Sequence, residues 1–334
     1  MEQKIIGVLL NPTIDEVIEI NNFKVGRTFK ALRSQKFPLG KGISFALSAN
    51  TLSNALIQEK DIEIKVLACI GKEEIPIYNS FLDSKQISFQ FNPIDGYTRS
   101  NKTIIDPRTH SATHIREKGF TMNKSELDTF MGLIADTVNQ DDIVAFCGSI
   151  PPGVPNNIYF DMINICKKKG ARCALDTSGL ELIEGYKSRP WLLKPNLEEL
   201  ATLFPDSPEI QKYMKNPNEN IENIAKKSRE LLSNETEIVI TTLNRWGAIC
   251  VSALQKTCLF GKIIVDNPIN TVGSGDSLLG GFIVGYYLGN DLEQCFRWGM
   301  ACGAANTLMS GAGLFSKKDV RELSEKIKFE KFVL

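Results

Sequence analysis

Histidine is nearly absent from this chain of 334 residues: only His110 and His114 occur. A metal centre built on several imidazoles is therefore out. A Ser-His-Asp triad would have to use one of these two, and both lie in a polar stretch. Net charge is absent as well, 39 Lys and Arg standing against 39 Asp and Glu. Gripping nucleic acid through a broad positive field needs an excess of cations, so no nucleic-acid partner is expected, although a small local anion site is compatible with the balance. Long apolar runs are missing. The longest, Leu278 to Gly289 counting its glycines, falls short of the ~20 residues a bilayer span requires and reads as a buried helix. The first residues lack the apolar stretch and small-residue cleavage site of an export signal. A cytoplasmic protein without a membrane partner is the expectation. None of the eight cysteines (Cys69, Cys147, Cys166, Cys173, Cys250, Cys258, Cys295, Cys302) forms a C-x-x-C pair, and most sit among apolar residues, so they read as reduced packing side chains. No fixed-period repeat is evident, which disfavours a solenoid or propeller.

What remains is an ordinary globular composition, 43% hydrophobic and 23% charged, in which strand-like and helix-like patterns alternate. Lys4–Leu10 is a short apolar run suited to a buried strand. Phe45, Ala49, Leu52 and Leu56 recur with helical spacing in a helix expected from Ser44. Further along, strands are expected at 62–69, 87–91, 143–146, 172–175, 191–193, 237–241, 248–252 and 257–265. Helices are expected at about 73–85, 127–138, 156–169, 197–203, 221–232, 277–288, 292–308 and 320–327. The stretch 205–220, rich in Pro and Asn, reads as a surface excursion. Strands alternating with helices imply an α/β fold with a mostly parallel sheet covered on both faces. Half-exposed strands from two separate stretches, about 12–37 and 94–118, do not fit that core. They are read as one small accessory sheet, a lid over the carboxyl edge where ligands of open α/β sheets bind. One domain over 1–334 is expected.

Several loops at that edge carry chemistry-bearing residues. In Asn270-Thr-Val-Gly-Ser-Gly-Asp-Ser277 a glycine loop runs into an apolar helix. Gly273 and Gly275 free the backbone to point amides outward, and the helix start favours an anion. Asp276 there is either an N-cap or a general base taking a proton from an attacking hydroxyl, with the amides of Gly273, Ser274 and Gly275 holding a transferring phosphoryl group. Gly40-Lys41-Gly42 opens the early helix, either as a turn with a surface lysine or as an anion contact. Asn11-Pro-Thr-Ile-Asp15 ends in a carboxylate that either caps a turn or accepts sugar hydroxyls. Cys147-Gly-Ser-Ile-Pro-Pro-Gly153 gives a rigid loop. In Lys194-Pro-Asn196-Leu-Glu-Glu199, Asn196 and Glu199 share a helix face. They form either a cap with an acidic first turn or a pair that organises hydrated Mg²⁺. Two stock phosphate motifs fail: G-x-G-x-x-G meets Leu278 where Gly is needed, and G-x-x-x-x-G-K-[ST] meets Gln35 and Gly42.

Taken together and in order, N-P-x-x-D (Asn11–Asp15), G-K-G (Gly40–Gly42), T-R-x-N (Thr98–Asn101), G-S-x-P-x-G (Gly148–Gly153), K-P-N-x-x-E (Lys194–Glu199) and G-S-G-D (Gly273–Asp276) resemble the ribokinase-like, PfkB-type carbohydrate kinases. The likeness spans nearly the whole chain and is greatest to the 1-phosphofructokinase and tagatose-6-phosphate kinase branch. It implies a three-layer α/β/α domain with a β-sheet lid that often joins a homodimer. The activity implied is ATP-dependent phosphorylation of a ketohexose phosphate, most simply fructose 1-phosphate. Asp276 would be the base and the Gly273–Gly275 amides the anion hole. Asp15, Gly40, Gly42 and Ser44 would meet the sugar, and Lys41, Arg99 and Asn101 its existing phosphate. Asn196 and Glu199 would serve Mg²⁺. Lys194, Asn196, Thr242, Asn244, Gly247 and Asn306 would lie at the nucleotide, and the family often uses a monovalent cation such as K⁺ near the anion hole.

The chain departs from that family at Ser44, where Asn is usual, at Asn244, where Gly ends an S-L-G turn, and at Ser274, where Ala is usual. The alternatives carried are a tagatose-6-phosphate or fructose-6-phosphate kinase, and a non-catalytic sugar-phosphate sensor on the same fold. Retention of Asp276 and its glycine loop counts against the sensor.

Overall fold

The computed structural model describes residues 3–56, 62–109 and 111–333; His110 lies outside them. The chain opens with β1 (Lys4–Leu9), β2 (Thr13–Glu19), β3 (Arg33–Leu39), α1 (Lys41–Leu56), β4 (Glu63–Gly71), α2 (Ile75–Ser84), β5 (Ser88–Ile94), β6 (Ser100–Asp106) and β7 (Ser111–Ile115). It continues through α3 (Lys124–Thr137), β8 (Ile143–Cys147), α4 (Ile158–Lys168), β9 (Arg172–Asp176), α5 (Gly179–Tyr186), β10 (Leu192–Leu193) and α6 (Leu197–Leu203). The last part holds α7 (Pro208–Lys215), α8 (Ile221–Glu230), β11 (Ile238–Thr242), β12 (Ala248–Ser252), β13 (Thr257–Lys262), α9 (Ser274–Tyr287), α10 (Leu292–Asn306), α11 (Lys317–Lys326) and β14 (Lys328–Val333).

Ten strands form the main sheet, in the order β14-β13-β12-β11-β10-β9-β8-β1-β4-β5. From β11 to β5 every pairing is parallel; β11 to β14 pair antiparallel. The central strand β1 is buried along its whole length, as a strand covered by helices on both faces must be. Two apolar clusters flank the sheet. One joins α1, α9 and α10 through Phe45, Leu279, Phe282 and Phe296, and the other joins α3, α4 and α8 through Phe130, Met162 and Ile224. All eight cysteines are free and buried in these layers. No described helix is long and apolar enough to cross a membrane.

A separate four-stranded sheet runs β3-β2-β6-β7. Its two halves come from distant stretches and join through parallel pairing of β2 with β6, which sets Asp15 opposite Asn101. Tyr78 of α2 ties this sheet to the body, its hydroxyl donating to the carbonyls of Thr13 and Leu39 at 2.8 and 3.2 Å.

Besides starts of α1, α9 and α11 three residues earlier than expected, four further elements differ from the sequence reading. α3 begins at Lys124 because Asn123 and Glu126 close a capping box. The 205–220 excursion contains α7, with a proline in its first turn. α5 follows β9 with a start at Gly179 that the pattern did not signal. Beyond the last expected helix, the charged segment Lys328–Val333 forms an edge strand, β14.

Candidate active site

Residues at the carboxyl ends of β1, β8 and β9 meet Arg99, which precedes β6, around one cavity, and Lys194, after β10, meets Asp176 at the end of β9. Asp276 stands in the first turn of α9, and only 6% of its surface is exposed. The helix is capped by Gly273 without any side-chain cap bond, so Asp276 is not spent as an N-cap. Burial pushes its carboxyl up to about 7, with Asp176 and Glu199 acting in the same direction and Lys41 and Lys194 opposing them. A carboxyl group in that range can take up a proton near neutral pH.

Gly273 adopts the left-handed conformation, φ 83°, which a glycine reaches without strain. Asn306 fixes this loop from below. Its amide nitrogen donates to the carbonyl of Val272 at 2.8 Å and to Ser274 Oγ at 3.3 Å, and its Oδ1 accepts from Gly313 N at 2.7 Å and Ser277 Oγ at 3.3 Å. Asn306 is fully buried, and its side chain shapes the glycine loop.

Asp176, at the end of β9, is the charged residue that the sequence reading missed. It is fully buried, with Oδ1 3.2 Å from Lys41 Nζ and Oδ2 3.1 Å from Lys194 Nζ. Burial raises its proton affinity, but Lys194 and Lys41 more than offset this and hold the carboxyl below its usual range. In return, Asp176 keeps Lys41 firmly protonated against the effect of burial. The available signal was an acid directly after an apolar strand at the ligand-binding edge. It lacked a motif to mark it.

Lys41 and Arg99 line one cavity of about 210 Å³ together with Leu9, Asn11, Gly148, Ser149, Thr177 and Ser178. Arg99 is aimed by the main chain, its Nε donating to Pro12 O at 3.1 Å and its Nη2 to Asn11 O at 3.0 Å. Asn101 is placed elsewhere. Its Nδ2 donates to Asp15 Oδ1 at 3.1 Å, and Thr13 Oγ1 donates to the same oxygen. Burial raises the Asp15 carboxyl, opposed by these two bonds and by Arg116 and Arg99. Gly40 starts α1, its carbonyl accepting from Ile43 N and Ser44 N, and Gly42 lies against β1, where an added Cβ would sit 2.9 Å from Val8 O. Ser44 is buried.

Asn196 and Glu199 close a capping box on α6. Asn196 Oδ1 accepts from Glu199 N, and Glu199 Oε2 accepts from Asn196 N. The capping alternative is therefore realised, and burial followed by Asp176 raises the Glu199 carboxyl against Lys194 and Lys41. Thr242 pairs with Asn196 as an isolated bridge beside this loop. Asn244 has φ 53°, the left-handed geometry that Asn tolerates better than most side chains. Asn thus supplies the turn for which the family uses glycine. Gly247 donates to Asn244 O and its own carbonyl accepts from Leu243 N, closing that turn.

Residues 8–319 match the model of the pfkB family of carbohydrate kinases. The chain belongs to that family. It is 26% identical to a 1-phosphofructokinase of Bacillus subtilis (strain 168) over 96% of this chain and 97% of that protein, and 25% identical to one of Haemophilus influenzae over 97% of each. Among solved structures, phosphofructokinase-2 from Escherichia coli in complex with potassium superposes with a TM-score of 0.83 at 22% identity, covering 97% of this chain and 98% of that one. Ribokinase from Thermotoga maritima gives 0.68 at 18%, covering 96% and 99%. As a pfkB carbohydrate kinase, the protein transfers phosphate to an alcohol group of a sugar, and the fold is ribokinase-like.

Proposed function

We propose that this kinase uses ATP to phosphorylate a ketohexose phosphate, converting fructose 1-phosphate to fructose 1,6-bisphosphate. The observation that carries this reading is Asp276, buried at the glycine loop with its carboxyl raised to about 7, on a chain whose relatives at about a quarter identity are named 1-phosphofructokinases.

The acceptor hydroxyl gives its proton to Asp276 as its oxygen bonds to the γ-phosphorus. The bond from that phosphorus to the β-γ bridging oxygen breaks, and ADP leaves. Amides of Gly273, Ser274 and Gly275 meet the charge on the moving phosphoryl group. The Lys41–Arg99 cavity suits the phosphate already on the sugar, since Arg offers a planar fork to phosphate oxygens. Asp15 and Asn101 lie on the small sheet as a hydroxyl-reading pair for the sugar.

Among the described residues no three of His, Cys, Asp and Glu converge on a metal position. Glu199 Oε2 and Asn196 Oδ1 are engaged in the capping box, so this pair would hold Mg²⁺ through the other Glu199 carboxylate oxygen, with nucleotide phosphates and water completing the hydrated ion. When bound, such an ion would neutralise phosphate charge during transfer.

The test is ATP consumption, with product analysis, on fructose 1-phosphate, tagatose 6-phosphate and fructose 6-phosphate. Turnover greatest with fructose 1-phosphate supports the reading. Preference for either 6-phosphate changes the substrate, and no turnover with any of them overturns the sugar-phosphate reading.

A further inference from the structure

The geometry points to Asp176 as a positioning residue that couples the acceptor side of the cleft to the donor side. What each side binds rests on the kinase reading above; the coupling rests on the side chains themselves. Asp176 is fully buried, and each of its oxygens faces one ammonium group, Lys41 Nζ at 3.2 Å and Lys194 Nζ at 3.1 Å. The two lysines come from unrelated places. Lys41 opens α1 after a strand of the small sheet, and Lys194 follows β10 in the body. They also serve different spaces. Lys41 lines the cavity it shares with Arg99. Lys194 Nζ lies 3.1 Å from where a side chain on Gly275 would begin, beside the amides that would hold the transferring phosphoryl group.

The main chain fixes Asp176 in place. Its carbonyl accepts from Gly148 N at 2.9 Å, and the preceding carbonyl, of Leu175, accepts from Lys194 N at 3.1 Å. The carboxylate is not among the residues lining the Lys41–Arg99 cavity, so it acts there through Lys41 and not on a substrate. A lysine is a compact charge on a flexible stem, and a buried carboxylate with no exposure to water is a strong and unscreened anchor for it. Because one carboxylate holds both ammonium groups, a phosphate that draws Lys41 away frees that carboxylate to hold Lys194 more closely, and the reverse. Each side therefore senses occupancy of the other, and such coupling is reciprocal by linkage.

The test measures binding by calorimetry, separately for ADP with Mg²⁺ and for fructose 1-phosphate. Asp176→Asn, which keeps shape and removes charge, releases both ammonium groups from a competing carboxylate and should tighten both affinities by roughly tenfold, the worth of one ion-pair contact to a buried carboxylate. Lys41→Met should weaken ADP binding, although Lys41 lies on the sugar side, and Lys194→Met should weaken fructose 1-phosphate binding. If Asp176→Asn fails to fold, these two crossed effects decide the matter alone. A merely structural Asp176 would lower the melting temperature and leave the crossed affinities unmoved. Unchanged crossed affinities in both lysine variants, or a folded Asp176→Asn protein with neither affinity tightened, overturn the inference. If fructose 1-phosphate does not bind the wild-type chain, inorganic phosphate serves as the probe of the Lys41–Arg99 cavity. A mistaken sugar then remains distinguishable from absent coupling.

Discussion

Gly273 and Ala312 approach so closely that a Cβ built on the glycine would lie 2.4 Å from the alanine methyl. No side chain fits there, and φ of 83° adds conformational strain for any L residue. Gly273→Ala should therefore cost roughly 2–4 kcal/mol, combining about 1–2 for the left-handed backbone with a similar overpacking penalty. It should also lower kcat as the loop shifts. Adding Ala312→Gly should restore the steric part of the stability loss but not the conformational part. Urea melts of the single and double variants check this.

Asp276→Asn should reduce kcat by about 10²–10⁴, the usual worth of a general base, with little change in KM. In the wild-type protein kcat/KM should fall as pH drops below about 7, where Asp276 takes up its proton. Stability runs the other way. The folded carboxyl binds its proton more tightly than the unfolded one. Its contribution is therefore fully present below the unfolded value of 3.8 and is lost as pH rises through about 7. Asp276→Asn should thus raise the melting temperature more at pH 8 than at pH 5. Thermal melts at the two pH values measure the difference.

Arg99 is held by two main-chain carbonyls, of Asn11 and Pro12, and reaches the cavity from a fixed frame. Arg99→Ala should raise KM for the sugar phosphate about 10–100-fold while kcat changes less. Arg99→Lys should recover only part of this, because an ammonium cannot span both carbonyls and a phosphate. Steady-state kinetics with the sugar phosphate varied at saturating ATP test both variants.

Asn244 holds φ 53° in a sharp turn after β11. Asn244→Ala should destabilise the protein by roughly 1 kcal/mol, the cost of a left-handed residue with an unhelpful Cβ. Asn244→Gly should be close to neutral. Denaturant midpoints of the two variants separate backbone geometry from any contact the Asn side chain makes with a nucleotide.

The carboxyl-edge loops were legible because each carries a residue pattern of its own. Gly273 to Asp276 joins a glycine turn to an apolar helix, and Lys194 to Glu199 pairs a strand end with a cap. Alternating apolar runs likewise exposed the body strands. Asp176 stayed hidden because its meaning lies in Lys41 and Lys194, which reach it from distant parts of the chain. The four bonds by which Asn306 shapes the glycine loop were equally hidden, because its partners Val272, Ser274, Ser277 and Gly313 carry no pattern that links them to it. β14 escaped because Phe329 and Phe332 sit among two lysines and a glutamate, and an edge strand in antiparallel pairing needs little apolar content. The parallel joining of β2 to β6 also had no local signal, since turn chemistry announces hairpins and not crossovers.

That joining makes the small sheet mechanically whole. Asp15 and Asn101 lie on neighbouring strands locked by a ladder of main-chain bonds, and the strands return to the body at both ends of each stretch. Any swing of the sheet would carry the two side chains as a rigid plate on paired straps, preserving their spacing through the stroke. Flexibility would then reside in the four crossings between plate and body, where a single proline or glycine exchange could stiffen or loosen the whole movement.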